Sequence, residues 1–263
     1  MEILGIDIGG SGIKGATVDI TTGKLTAERF RLPTPKPATP EAVTDVTAEI
    51  VRHFDWNGPF GCAFPARIKK GVATTAANID KSWIGTNVEE LLLQKTGLPA
   101  IVINDADAAG MAEMGFGAGR GRMDEVLLLT FGTGIGSALF INEMLVPNTE
   151  FGHITLNGMV AEHYAADRAR KEKKLGWKRW AGRVQEYLDR IEFLLAPDLI
   201  IFGGGASKPK KRARFFEYLH TNADLLPAEL QNHAGIVGAA FTARRLFMPT
   251  PENHPLTAHA GPQ

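Results

Sequence analysis

At 263 residues, 44% of them hydrophobic and 22% charged, the chain is long enough to bury a sizeable core as one large domain or two compact ones. Lys plus Arg equals Asp plus Glu at 29 each, so overall charge points to no polyanion partner, although local clustering still can. The single cysteine, Cys62, excludes intrachain disulfides and thiolate metal cages, and with no leader-like start or long apolar run the expectation is a cytoplasmic chain without a membrane span.

Ile3 to Ile8 reads as a short apolar strand that runs into Gly9-Gly10-Ser11-Gly12-Ile13-Lys14-Gly15 and then into a second strand-like run, Ala16 to Ile20. Glycines in series let backbone N–H groups point inward as an anion-binding nest, and Ser11 and Lys14 add a hydroxyl and a positive charge. A tight hairpin with no ligand is the plainer reading. Neither common nucleotide signature fits, because a dinucleotide fingerprint leads into a helix and a Walker loop needs Gly-Lys followed by Ser or Thr. Asp7, inside the strand, is poorly suited to being buried alone and can face a metal-bound water. Thr21-Thr22-Gly23-Lys24 closes a hairpin. Pro33, Pro35, Pro37 and Pro40 mark a loop, and Thr39 caps a helix expected over about Glu41 to His53. Phe60 to Phe64 is the next strand, and Pro65-Ala66-Arg67-Ile68 turns out of it. The polar stretch from Thr74 to Trp83 either lines a pocket or covers the surface, and Asn87 to Thr96 is helical in pattern.

Ile101-Val102-Ile103 is β-branched and bounded, hence a buried strand, and it delivers Asn104-Asp105 to a small-residue helix, Ala106 to Met114. A carboxylate at a strand's carboxyl end sits where open α/β sheets bind ligands. Asp105 is therefore the candidate catalytic base, and a mere helix cap is the competing reading. Glu125 to Phe131 is a strand running into Gly132-Thr133-Gly134-Ile135-Gly136 and on into Ser137 to Ile141, so strand, glycine turn and strand occur twice. Two such turns suggest related half-sites gripping one phosphate chain, and a two-lobed architecture.

Farther along, Glu150, His153 and Glu162 join Asn104 and Asp105 as a dense set of hydrogen-bonding groups suited to a polyhydroxylated ligand. Metal binding is the rival for His153, His163 and the two glutamates, but no short paired-histidine spacing supports it. Between Arg168 and Arg183 eight basic residues face the single acid Glu172, and Lys208, Lys210, Lys211, Arg212 and Arg214 form a second run. Such clustering either guides a polyanion or is a solvated face. Trp180 to Leu195 is amphipathic, Leu199 to Phe202 is a strand delivering Gly203-Gly204-Gly205, and Gly235 to Ala240 opens a last helix. Residues 249–263 read as a mobile tail.

In order and spacing, Asp7 to Gly15, Asn104-Asp105-Ala106, Thr130 to Gly136 and Gly203-Gly204-Gly205 resemble the ROK family of sugar kinases, within the actin and hexokinase-like superfamily. Ala76 to Trp83, Glu150-Phe151-Gly152-His153, Ala161-Glu162 and Ala234 to Ala240 resemble its polyphosphate-using branch, the polyphosphate glucokinases and polyphosphate/ATP glucomannokinases. The resemblance implies an α/β, two-lobed, ribonuclease H-like fold with its active-site cleft between lobes. A smaller lobe would span 1–104 with a helix at about 236–248 packed back on it, and a larger one 105–235. It implies that Asp105 takes the proton of the glucose 6-hydroxyl while Asn78, Asn104, Glu150, His153 and Glu162 hold the other hydroxyls. The turns at Gly9, Gly10 and Ser11 and at Gly132, Thr133 and Gly134 would hold donor phosphates with Lys14, and Gly203, Gly204 and Gly205 would follow the polyphosphate or ATP tail. Mg²⁺ would bridge donor oxygens, with Asp7 touching its water shell. No structural zinc is expected, since residues 154–161 contain no cysteine. Ala66 stands where the family pattern has glycine beside the sugar. Mannose is a further substrate by resemblance and a homodimer a further expectation, with no nucleic-acid partner and no membrane attachment.

Overall fold

The structure, a computed structural model, describes residues 1–77 and 79–247. Asn78 and the tail expected over 249–263 lie outside the described residues.

The chain begins with β1 (Glu2–Gly9), β2 (Gly12–Asp19), β3 (Lys24–Leu25), β4 (Phe30–Leu32), α1 (Pro40–His53), β5 (Phe60–Phe64), β6 (Ile68–Lys69) and β7 (Val72–Ala73). Helix α2 (Val88–Thr96), β8 (Ala100–Asn104), α3 (Asp105–Phe116), β9 (Val126–Phe131), β10 (Ile135–Ile141), β11 (Met144–Val146), β12 (Thr155–Leu156) and β13 (Met159–Val160) follow. The last part holds α4 (Ala161–Ala165), α5 (Asp167–Glu172), α6 (Trp177–Leu195), β14 (Leu199–Gly203), α7 (Pro209–Arg212), β15 (Asp224–Pro227) and α8 (Ala234–Phe247).

Two sheets dominate, and they share one topology. In the first the order is β3-β2-β1-β5-β8, with β4 added on β2; in the second it is β11-β10-β9-β14-β15. Each starts from an antiparallel pair joined by a glycine turn, β1 with β2 and β9 with β10, and then adds two strands parallel to the first. Parallel strands covered on both faces need near-continuous apolar runs, and β5 and β14 are buried at every position. The parallel strands of each sheet end on the same edge, so Gly9, Phe64 and Asn104 gather at one rim while Phe131 and Gly203 gather at the other.

Helices α3 and α8 pack on each other; α8 lies against β1, β2, β5 and β8, and α3 reaches β9 and β10. Glycine makes this closeness possible: a Cβ on Gly5 or Gly61 would fall inside the carbonyl of Ile236 or Ala239 of α8. The second sheet buries its other face under α6, where Trp180, Tyr187, Phe131, Phe202 and Phe215 form one aromatic cluster and Phe131 stacks on Phe202 at 4.3 Å. Sequence periodicity places the start of α6 at Trp180, whereas the helix begins at Trp177, three residues earlier. Trp177 lies flat against Phe215, a partner supplied by tertiary packing. No helix among the described residues is long and apolar enough to cross a membrane.

Candidate active site

A cleft of about 870 Å³ opens between the two strand-end rims. Of the residues singled out from the sequence, Gly9, Gly10, Ser11, Asn104, Asp105, Gly132, Thr133, Gly134, Glu150, His153, Glu162 and Gly204 line it. A smaller cavity of about 220 Å³ shares Asp105 and Gly204 with the cleft and takes in Asp7, Lys14, Gly203 and Gly205. The two spaces meet at Asp105.

Asp105 is the first residue of α3, directly after β8, so the strand aims it at the cleft floor. The cap is Asn104: its Oδ1 accepts the N–H groups of Ala106 at 2.9 Å and Asp107 at 3.2 Å, and its Nδ2 donates to the Ala66 carbonyl at 3.1 Å. Capping and catalytic candidacy thus belong to adjacent residues rather than competing for one. Asp105 is exposed to the cleft, yet the surrounding protein still withdraws part of its hydration. That dehydration, with the charges of Asp7 and then Glu150 adding to it, pushes the Asp105 carboxyl up to about 6 against the hydrogen bond from Ala106. A carboxylate tuned upward, at the junction of two polar cavities, is suited to general-base work near neutral pH.

Around the sugar-side candidates the backbone is pinned. Ser137, buried in β10, donates its hydroxyl to the Thr149 carbonyl at 2.9 Å and accepts the Phe151 N–H at 3.0 Å, which fixes both neighbours of Glu150. Glu150 Oε2 lies 3.2 Å from His153 Nδ1. Glu162 reaches back into the second glycine turn, where its Oε2 accepts the Ile135 N–H at 3.2 Å; a Cβ on Gly134 would collide with that same oxygen. With the Gly132 N–H bonded to the Gly134 carbonyl, the N–H groups of Thr133 and Gly134 stay without an acceptor among the described residues, in a turn that lines the cleft, and such free N–H groups suit an anion.

The first glycine turn is braced from β4, which sequence reading missed. Arg31 donates to the Ser11 carbonyl at 2.6 Å, and its guanidinium fills the space that a side chain on Gly12 would need. Thr34 donates to the Gly9 carbonyl. Lys14 and Asp7 are directly opposed in the β1–β2 register, and Nζ lies 2.8 Å from Oδ2, so the two form an ion pair in the smaller cavity.

The two basic runs, separate in sequence, converge on one buried carboxylate. Asp167 is 2% exposed, and Arg170, Lys171 and Lys211 all lie within 3.3 Å of its oxygens. Burial works against its charge, but Lys171 and Arg170, with Lys211 behind them, hold it below the usual carboxylate range. Part of the basic charge is thus internally balanced. Arg168, next to Asp167, donates its N–H to the Gly132 carbonyl, which sets this cluster beside the second glycine turn.

The ROK family model matches residues 3–171, well over half of the chain. The chain belongs to the ROK family. Polyphosphate glucokinase of Mycobacterium tuberculosis strain H37Rv is 48% identical over 240 residues, covering 91% of this chain and 90% of that protein. Among solved structures, the inorganic polyphosphate/ATP-glucomannokinase of Arthrobacter sp. strain KM superposes with a TM-score of 0.88 at 45% identity, covering 93% of this chain and 99% of that one. A ROK family glucokinase from Streptomyces griseus, solved with glucose and AMPPNP, gives 0.76 at 27% identity over 93% of this chain and 100% of its own. This ROK chain therefore has the two-lobed actin and hexokinase-like α/β fold, and its two sheets repeat one strand order.

Proposed function

We propose that the chain transfers the terminal phosphoryl group of inorganic polyphosphate, and of ATP, to the 6-hydroxyl of glucose. The observation that carries this reading is Asp105 on the cleft floor between two glycine turns, in a chain 48% identical to a polyphosphate glucokinase over nearly its whole length. Asp105 accepts the hydroxyl proton; Asn104, Glu150, His153 and Glu162 orient the other hydroxyls; the N–H groups at Gly10–Ser11 and Thr133–Gly134 hold the transferred and bridging phosphates. Gly203 to Gly205 follow the donor tail. Because phosphoryl transfer depends mainly on alignment and charge stabilisation, this arrangement supplies most of what the reaction needs. In this reading residues 1–104 and α8 form the smaller lobe and 105–235 the larger, and closure of the two excludes water as a rival acceptor. Mannose is the second sugar to test, since the Arthrobacter relative is named a glucomannokinase.

A Mg²⁺ ion fits the donor side. No group of three or more His, Cys, Asp or Glu among the described residues is arranged to cage a metal, but a magnesium carried by donor phosphates needs only one or two carboxylates and keeps several waters. Asp7, beside the smaller cavity, would hold such waters, and the ion would neutralise charge on the donor oxygens.

The test is glucose phosphorylation by the purified chain with Mg²⁺, with long-chain polyphosphate and ATP as parallel donors. Turnover with ATP alone would remove the polyphosphate assignment. Two further outcomes are expected. The active base is the ionised form, so turnover falls as pH drops through about 6 and levels off about one pH unit above it; an acid limb near the ordinary aspartate range, about 4, would show that the Asp105 carboxyl is not raised. Neutralising Lys171, Lys173 and Lys174 together should raise the KM for long polyphosphate by about five- to tenfold at low salt and the KM for ATP by less than about twofold. Equal losses would make the basic cluster a solvated face. Lys173 and Lys174 carry most of this effect, because Lys171 is already paired with Asp167.

A further inference from the structure

Asp107 lies two residues beyond the proposed base, is 1% exposed and has no part in the chemistry outlined above. As the third residue of α3 it reaches away from the helix: Oδ2 accepts the backbone N–H of Asn148 at 2.8 Å, while Oδ1 is buried without a partner among the described residues. Asn148 in turn has left-handed backbone, φ 61°, and spends its side-chain amide on one residue. Its Oδ1 accepts the Ile68 N–H at 2.8 Å and its Nδ2 donates to the Ile68 carbonyl at 2.9 Å. Ile68 is two residues past Ala66, whose carbonyl is held by Asn104. Three segments are therefore tied in a ring, the β8–α3 junction that presents Asp105, the stretch 66–68 and the stretch 147–151 that presents Glu150, and the last of these is also anchored to β10 through Ser137.

A buried carboxyl with one hydrogen bond is a costly way to fill space, and an apolar side chain would pack there at lower cost. What an apolar residue cannot do is reach across from α3 and fix the loop before Glu150. We infer that Asp107 is a positioning residue for the sugar side of the cleft, setting Glu150 in register with Asp105 through Asn148 and Ile68. The inference rests on the glucose-kinase reading and deepens it. Burial above all, with the charges of Asp105 and Glu150 adding to it, pushes the Asp107 carboxyl up to about 7 against the Asn148 hydrogen bond. A neutral side chain is therefore tolerated, and asparagine is its close mimic.

The experiment compares Asp107→Ala and Asp107→Asn in the full chain, measuring kcat, the KM values for glucose, polyphosphate and ATP, and thermal unfolding. Asp107→Ala is expected to raise the glucose KM about tenfold while both donor KM values stay within about twofold, since misplacing one sugar-holding group leaves the donor side intact. Asp107→Asn keeps an acceptor for the Asn148 N–H and should return the glucose KM to within about threefold of the wild type. A role confined to folding would lower stability and spread the kinetic loss over all substrates. An unchanged glucose KM in Asp107→Ala, or glucose and donor values rising together, overturns the inference. Should Asp107→Ala fail to fold, Asn148→Gly keeps the left-handed backbone and cuts the link to Ile68; it must raise the glucose KM by the same order, and a wild-type value overturns the inference as well. Wild-type chain that binds glucose in calorimetry but never phosphorylates it would sink the kinase reading alone, and glucose affinity in the same variants then decides the role of Asp107 by the same fold-changes.

Discussion

Replacing Asp105 with Ala should lower glucose phosphorylation by about three to four orders of magnitude while leaving thermal unfolding nearly unchanged. The two halves of that expectation have separate causes. Asp105 is the acidic group at the junction of the cleft and the smaller cavity, and its carboxyl is raised to about 6, where it is ionised and still basic at neutral pH. No other base is needed in this reading, so its loss removes the proton acceptor and one wall of the alignment. Stability is spared because the Ala106 N–H, which Asp105 also accepts, and the Asp107 N–H keep Asn104 Oδ1 as their acceptor. Removing a carboxylate that Asp7 and Glu150 repel also relieves strain on the folded state. Asp105→Asn, of nearly the same size, should lose almost as much turnover. Kinetics at saturating glucose and polyphosphate, run beside a melting curve, decide it: a variant that keeps more than about a tenth of wild-type turnover is incompatible with Asp105 as the base.

The largest effect on stability is expected at Gly238. Its Cβ, if present, would fall inside the Ala108 carbonyl of α3, and a backbone carbonyl in a helix cannot swing aside as a long side chain does. Gly238→Ala should cost about 3 kcal/mol, at the upper end for overpacking, because α8 is also held against β1 and β5 at Gly5 and Gly61 and has nowhere to retreat. The opposite sign is expected for the same change elsewhere. Gly182 lies in α6 with nothing within 4 Å of the added methyl, so Gly182→Ala should stabilise by about 0.5–1 kcal/mol through helix propensity. Denaturant unfolding of both variants checks the pair. Equal and small shifts would show that α3 and α8 can move apart freely, contrary to the close contact between them. Such freedom would matter for catalysis, since α3 begins with the residue on the cleft floor.

Much of the site is legible in the amino-acid sequence, because its signals are local. A glycine run after an apolar strand constrains the backbone within a few residues, and that is why Gly9 to Ser11 and Gly132 to Gly134 both turn up facing the cleft. Asn104-Asp105 is legible for the same reason: a β-branched strand ending at a small-residue helix puts the pair at a strand's carboxyl end whatever the rest of the chain does. The strand-turn-strand repeat likewise anticipates two sheets, and the shared strand order extends that repeat to the whole architecture.

Other features depend on partners far away in the chain, and no local pattern announces them. Asp107 reads locally as one more polar residue of a helical run; its meaning comes from Asn148, 41 residues on, which is itself bonded to Ile68, 80 residues back. Glu162 shares a pattern with other acids but sits against Gly134, so one residue of the second turn is a glycine for the sake of a carboxylate and not only for an anion. The basic runs can be counted from composition, yet whether their charge is free depends on Asp167, which neutralises part of it from the core. Arg31 is invisible as a brace because its bond to Ser11 crosses a strand pairing that only the sheet creates. Sequence by itself determined which backbone segments can bend into nests and which strand carries the carboxylate, since both follow from short-range sterics and periodicity. Tertiary structure alone decided how those groups are held in register and which charges remain unpaired, because burial and hydrogen bonding there are set by residues brought together only when the two sheets close around α3 and α8.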